Sequence, residues 1–498
     1  MRSFLVLVLV GTLGLLVGCS NNGTPAGIAI TISLSPSTAS VNAGGVVNVV
    51  ATVANDPSGK GVTWTLSGVG KLSAQTSTSV TYTAPATVTT TSVATVVATS
   101  VASTSVTASL PITVSPAGTV ANVVPISVNG GPLAPATIYP NGAFVSVQIC
   151  APNGACQTID NVLLDTGSFG LRLLGSEVTV PLVPITDTSS GDTLYDCVQF
   201  LDNSFLWGAV APATIVLGGE TATATSVQVI ANPSFPIPSG CTGTNEDTQS
   251  TLGANGILGV GPEPFDCGTS CDPGVGGNPP PIYYLCSTTG TCNATFVSCG
   301  TLCQDPNPNI QVTNPVFNFP TDNNGVIVQF PMVSDVAATV DGTLTFGIGT
   351  ESNNALPSTA LVLNLAQGDV FTTNFATQSL TSSFIDSGSN GLFFPDAALA
   401  GSVCPGSDSS WYCPNPALTG LSATNVGASG SPSGSVTFNV DNFETVVNAN
   451  PGDAAFSNIA GPNAGGFDWG LPFFYGRTVF TAIDGTTVGT TQTPFFAY

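Results

Sequence analysis

Two short stretches carry residues that can do chemistry together. Asn161-Val-Leu-Leu-Asp165-Thr-Gly-Ser-Phe-Gly-Leu171 runs an apolar strand into an aspartate, a turn and a return to apolar residues. Ser383-Phe-Ile-Asp386-Ser-Gly-Ser-Asn-Gly-Leu392 repeats it, with Asp, Gly, Ser, Gly and Leu in the same register. In each copy a strand delivers the carboxylate, and Gly167 or Gly388 lets the backbone turn sharply behind it. The N–H groups of such a turn and the hydroxyl of Ser168 or Ser389 can then point at the carboxylate. Two carboxylates within hydrogen-bond reach cannot both ionise, so one proton is shared and the pKa values split. The ionised member accepts a proton from water while the protonated member donates to a substrate carbonyl. This chemistry needs no imidazole, and the chain has no His.

Asp-Thr-Gly-Ser after an apolar strand, repeated as Asp-Ser-Gly-Ser, resembles the pepsin-like aspartic peptidases. Asn255-Gly-Ile-Leu-Gly-Val-Gly261 looks like the segment that crosses beneath the first catalytic turn in that family. Phe467-Asp-Trp-Gly-Leu471, followed by Phe473 to Ile483, looks like its counterpart in the second lobe. The stretch from Gly142 to Ile149, then Thr158 to Ser168, reads like the strand pair leading into the first motif. The landmarks span Val123 to Tyr498 in the family's order, with loops that match less well, as in a divergent bacterial branch. The resemblance implies two β-barrel lobes, each giving one Asp to a shared site. Asp165 and Asp386 would be catalytic. Gly167, Ser168, Gly388 and Ser389 would hold their carboxylates coplanar, and Thr166 and Ser387 would tie the turns into their lobes. It implies a polypeptide substrate and no metal, nucleotide or organic cofactor.

A hairpin is expected around Asp202-Asn203, between Tyr195 and Gly208. By position it resembles the flap that closes over substrate in this family, which normally presents a Tyr hydroxyl there. Phe200 stands at the matching place, and Trp207 offers an indole N–H as a substitute. The departure sets a second reading beside the first, in which the fold is kept as a binding or scaffold lipoprotein without catalysis. A third has each Asp merely capping its own turn. It accounts least well for the repetition and the matching crossing segments.

The elements that position these residues follow a leader. Residues 1–18 carry Arg2 and an apolar run from Phe4 to Val17, too short to span a bilayer and typical of a signal peptide. Leu16-Val-Gly-Cys19 resembles the bacterial lipoprotein box, implying cleavage before Cys19 and lipidation of its thiol. The neutral Ser20 then implies an outer-membrane destination within an exported, envelope-anchored reading. Residues 19–26 read as a tether. Over 27–116, short alternating stretches separated by turns such as Asn42-Ala-Gly-Gly45 argue an antiparallel β-sandwich with Trp64 in its core. Val62-Thr-Trp-Thr-Leu66, Gly70-Lys-Leu-Ser73 and Thr81-Tyr-Thr-Ala-Pro85 resemble bacterial Ig-like domains, here a spacer. The first lobe is assigned to 117–310 and the second to 311–498. The fold class is therefore all-β, an Ig-like sandwich followed by a bilobal pepsin-like β-barrel domain.

The formal charge is −23, with only five Lys and Arg, which repels nucleic acid and anionic membrane. Of 13 Cys, all but Cys19 lie between Cys150 and Cys413, an even number in an exported chain. Cys150/Cys156, Cys286/Cys292 and Cys404/Cys413 can close short loops. Cys267-x₃-Cys271 and Cys299-x₃-Cys303 can pair with each other, leaving Cys197 with Cys241. Zinc at the x₃ pairs is the alternative, disfavoured in an oxidising compartment. Asp322-Asn-Asn-Gly325 reads as a tight turn, since no further calcium ligands follow at the right spacing.

Overall fold

The structure, a computed structural model, describes residues 29–36, 39–85, 88, 92–115, 122–231, 235–275, 277–303, 309–395 and 402–498. The expected signal peptide, the lipidation site at Cys19 and the whole tether lie outside them. Among the described residues no helix is long and apolar enough to cross a membrane.

The chain is all-β, as its alternating pattern requires. Residues 31–115 form two four-stranded sheets. One contains Thr31–Ser35, Val46–Ala54, Ser79–Thr83 and Lys71–Ser73, and the other Ala39–Asn42, Thr107–Ser115, Ser92–Ser100 and Val62–Ser67. Period-two alternation turns Val47, Val49 and Ala51 inward and leaves Val50 outside. They meet Trp64, Val96, Leu110 and Ile112 of the facing sheet in one core, where each fully buried aliphatic side chain contributes roughly 1.5–3 kcal/mol. Trp64 is the expected core aromatic, and its indole N–H donates to the Thr76 carbonyl at 2.9 Å. The edge strands Ala39–Asn42 and Lys71–Ser73 are too short to announce themselves by periodicity.

From residue 123 onward the chain builds a six-stranded barrel and a nearly closed seven-stranded barrel. Val123–Val128 is the seam between them. It pairs on one side with Ala143–Cys150 (Phe144 opposite Ser127) and on the other with Val340–Phe346 (Leu344 opposite Val124). One sixteen-stranded sheet therefore runs through both lobes. The largest apolar core, containing Val147, Leu164, Leu258, Phe371 and Trp469, runs through both, with smaller clusters beside it.

The hairpin expected near Asp202 is formed by Thr193–Gln199 and Ser204–Leu217, with Gln199 opposite Phe205 and Asn203 in the left-handed conformation at φ 66°. The cysteine-rich stretch between Cys267 and Cys303 is built onto it. Its strand Tyr283–Cys286 adds to the hairpin's outer edge, Tyr195 opposite Tyr284. Disulfides join Cys150–Cys156, Cys197–Cys241, Cys267–Cys271, Cys286–Cys292 and Cys404–Cys413. The first x₃ pair thus closes on itself, because one 3₁₀ turn at Gly268–Cys271 brings its two sulfurs together. Cys299 is disulfide-bonded as well, and the side chain of Cys303 lies outside the described ones. These bonds mark the protein as extracytoplasmic. Cys197–Cys241 spans 44 residues and anchors the hairpin. Replacing both by Ala is expected to lower stability by about 2–4 kcal/mol, read as a lower urea midpoint with a more protease-sensitive 193–245 segment.

Candidate active site

Asp165 ends a strand and Asp386 directly follows one, and a further strand threads each turn. Cys156–Asp165 runs parallel to Gly256–Val260, Asp165 opposite Gly259, while the outgoing strand Phe169–Leu174 pairs antiparallel with the same segment. In the second lobe Gln378–Ile385 runs parallel to Asp468–Trp469, and Leu392–Phe393 pairs antiparallel with it. The turn between the two arms projects beyond the crossing strand and carries its carboxyl group outward.

The two turns face each other. A Cβ placed on Gly167 would lie 2.6 Å from Cγ of Asp386, and one on Gly388 would lie 2.7 Å from Cγ of Asp165. Glycine is required at both positions because each backbone passes over the other lobe's carboxyl group. Thr166 and Ser387, expected to tie each turn into its own lobe, instead tie the turns to each other. Thr166 Oγ1 donates to the Ile385 carbonyl at 3.1 Å and accepts from Ser387 N at 2.9 Å. Ser387 Oγ donates to the Leu164 carbonyl at 2.8 Å and accepts from Thr166 N at 3.1 Å. All four bonds are buried, and so are both side chains. The sequence shows two hydroxyls after two aspartates; only folding shows that each finds its partner in the other copy.

Asp165 Oδ1 accepts from the backbone N–H of Gly167 at 2.8 Å and of Ser168 at 3.1 Å, and Oδ2 from the Ser168 hydroxyl. Asp386 Oδ1 accepts from Gly388 N at 2.7 Å and Oδ2 from Ser389 Oγ at 2.8 Å. Burial, then the nearby charges of Asp165 and Asp468, and then a hydrogen bond to Asp165 push Asp386 well above the usual carboxylate range. Asp386 is thus the carboxyl of the pair whose protonated form is favoured.

A third carboxyl group joins it. Ser389 Oγ lies 2.6 Å from Oδ2 of Asp468 as well as 2.8 Å from Asp386. One hydroxyl has one hydrogen to give, so two ionised carboxylates cannot both be satisfied by it. Asp468 is 6% exposed and is pushed up to about 8, chiefly by burial. At most one of the two can take the Ser389 hydrogen, and burial favours a proton on each.

The three carboxyls open into a cleft of about 540 Å³ whose walls include Tyr139, Phe200, Glu246 and Phe393. Phe200 lies at the hairpin turn and packs with Tyr139, Leu163 and Leu206. Trp207 does not reach the cleft. It is buried on the far face of the hairpin, stacked on Tyr195 at 5.0 Å and edge-on to Tyr284 at 5.6 Å. Tyr139 brings a phenol to the cleft instead, from the segment before the first lobe's long strands. Glu246, pushed up to about 7 by burial and the charge of Asp202, is a further acid on the hairpin side. Among the described residues no group of three or more acidic or Cys side chains is placed to hold a metal.

Behind the first motif, Arg172 is buried at 1% exposure with Asp196 and Asp266. It donates to Asp196, to Gln228 at 2.8 Å and to Asp266 at 2.9 Å. Burial works against its charge, but the two carboxyls outweigh it and hold the guanidinium protonated.

Among solved structures, a DUF4784 family protein from Bacteroides caccae is similar at 11% identity and a TM-score of 0.13, over 42% of this chain and 58% of its own. The adhesin InvE of Yersinia pseudotuberculosis is similar at 14% identity and 0.14, over 43% and 62%. The chain spans less than two thirds of either, and neither likeness carries an argument here. No curated protein matches the sequence. Over residues 118–498 the sequence matches the pattern of a family described as proteins of unknown function, and the chain belongs to that family, DUF3443.

Proposed function

We propose that the protein is an exported aspartic endopeptidase of pepsin-like architecture, held in the bacterial envelope, at the outer membrane, by a lipid on Cys19. One observation carries the reading: two Asp-x-Gly-Ser turns, from two threaded strands, face each other and are cross-bonded through Thr166 and Ser387. Water held between the carboxyls would lose a proton to the ionised member, and the protonated member would donate to the substrate carbonyl. The tetrahedral intermediate would then collapse as the leaving nitrogen takes a proton. The rigid turns supply orientation, which an enzyme lacking metal assistance needs most. The sandwich would act as a spacer between lipid and lobes.

The second reading, a binding or scaffold lipoprotein, is favoured by Phe200, which brings no hydroxyl to the hairpin. The deciding experiment uses the mature chain without residues 1–19, incubated with an unfolded polypeptide between pH 3 and 7 and followed by mass spectrometry. Cleavage blocked by a peptide inhibitor bearing a hydroxyl in place of the reacting carbonyl supports the peptidase. Binding of that inhibitor without turnover supports the second reading.

A further inference from the structure

The two crossing strands are equivalent, and their difference is informative. Gly259 lies opposite Asp165, and Trp469, just before Gly470, lies opposite Ile385, just before Asp386. Counting back two residues from each glycine gives Ile257 in one lobe and Asp468 in the other. Both line the cleft. An apolar side chain therefore stands beside one half of the dyad, and a carboxyl group beside the other.

Asp468 is also incompletely satisfied. Its Oδ2 meets Ser389, but its buried Oδ1 has no hydrogen-bond partner. A buried carboxyl oxygen without a donor is costly, and its retention calls for a ligand that supplies one. The protein does not: no Lys or Arg lines the cleft, Arg172 is engaged by Asp196 and Asp266, and Arg477 donates to the Phe473 carbonyl.

We propose that Asp468 forms the subsite for a basic side chain, Lys or Arg, on one side of the reacting peptide bond, with an apolar side chain against Ile257 on the other. The proposal rests on the peptidase reading for its substrate being a polypeptide. In the empty cleft burial favours a proton on Asp468 and the charge of Asp165 adds to this, while Ser389 joins Asp468 to Asp386. An incoming cation replaces that proton, which leaves to solvent, and gives Oδ1 its missing donor. Because a proton must be displaced, the advantage of a basic side chain over a neutral one grows as pH rises from 4 to 7.

The test compares peptides with Lys or norleucine on either side of the cleaved bond. Norleucine keeps the length of the stem and removes the charge. Wild-type protein is expected to prefer Lys on one side by at least about tenfold in kcat/KM. Asp468→Asn should lose that preference, and Asp468→Ile should reverse it. The same peptides, fluorescently labelled, are titrated against the Asp165→Asn variant with and without Asp468→Asn, which reads binding alone. A Lys preference in binding that Asp468→Asn removes, without cleavage by wild type, keeps the subsite and rejects the peptidase. Cleavage with equal rates for Lys and norleucine, or a preference unchanged in Asp468→Asn, overturns the subsite. No binding of either peptide overturns both.

Discussion

Asp165→Asn and Asp386→Asn are each expected to abolish peptide hydrolysis, with a loss of at least about 10³-fold in kcat. An amide can neither share the dyad's proton nor act as base. The turns should survive, because an Asn carbonyl can accept the backbone N–H groups that Asp165 and Asp386 accept from Gly167 and Gly388. Stability should move the other way for Asp386→Asn. The folded protein raises the pKa of Asp386 above its unfolded value, chiefly by burial. Such a group contributes stability fully present below the unfolded value, near 3.8, and lost as pH rises towards the folded one. Asn does not titrate, so the variant should melt progressively higher than wild type as pH increases from 4 to 7. Thermal unfolding at both pH values, beside the cleavage assay, checks this. Loss of activity with gain of stability is the signature of a site kept for chemistry. Cleavage that persists in both variants would remove the dyad from the mechanism.

The dyad was legible because its chemistry demands a residue type, a turn and a repetition, all of which are local. The sandwich strands and the hairpin were legible through alternation, which burial then reproduces at Val47, Val49 and Ala51. What escaped depends on register across the sheet. Leu206 faces the cleft-side cluster with Phe200, so its neighbour Trp207 must face the opposite side with Tyr195 and Tyr284. Parity along Ser204–Leu217 puts the indole on the face opposite Leu206, away from the cleft. Asp468 leaves a signal in the sequence, a lone acid in the apolar run Phe467-Asp-Trp-Gly-Leu471 at the place where the other lobe has Ile257. Tyr139 left none, since it enters the cleft from an irregular segment with no period to read. The cross-bonds of Thr166 and Ser387 were out of reach because each partner is more than two hundred residues away, at a separation of 221.

Arg172→Met is expected to destabilise the first lobe by about 3–5 kcal/mol, although the Arg172 side chain bonds to neither aspartate of the dyad. One guanidinium faces two buried carboxyls, and burial pushes both Asp196 and Asp266 up against its opposing charge. It can fully neutralise only one of them, so removing it leaves buried acid with no cation at all. Asp266 would keep the Tyr283 hydroxyl at 2.6 Å and its side-chain hydrogen bond with Asp196, and Gln228 would lose its donor. The triple variant Arg172→Met, Asp196→Asn, Asp266→Asn should recover most of the loss, because the penalty comes from the unpaired charges rather than from the missing ion pair. Urea unfolding at pH 7 reads both. At pH 4 the single variant should lose less, since protonated Asp196 and Asp266 no longer need the cation. Arg172 lies on Phe169–Leu174, the outgoing arm of the first turn, opposite Ile257 of the crossing strand. The partly unfolded single variant should therefore also lose hydrolysis in proportion to its unfolded fraction, and the triple variant should regain it. A triple variant that is folded but inactive would place the buried network in the positioning of Asp165, beyond its part in stability.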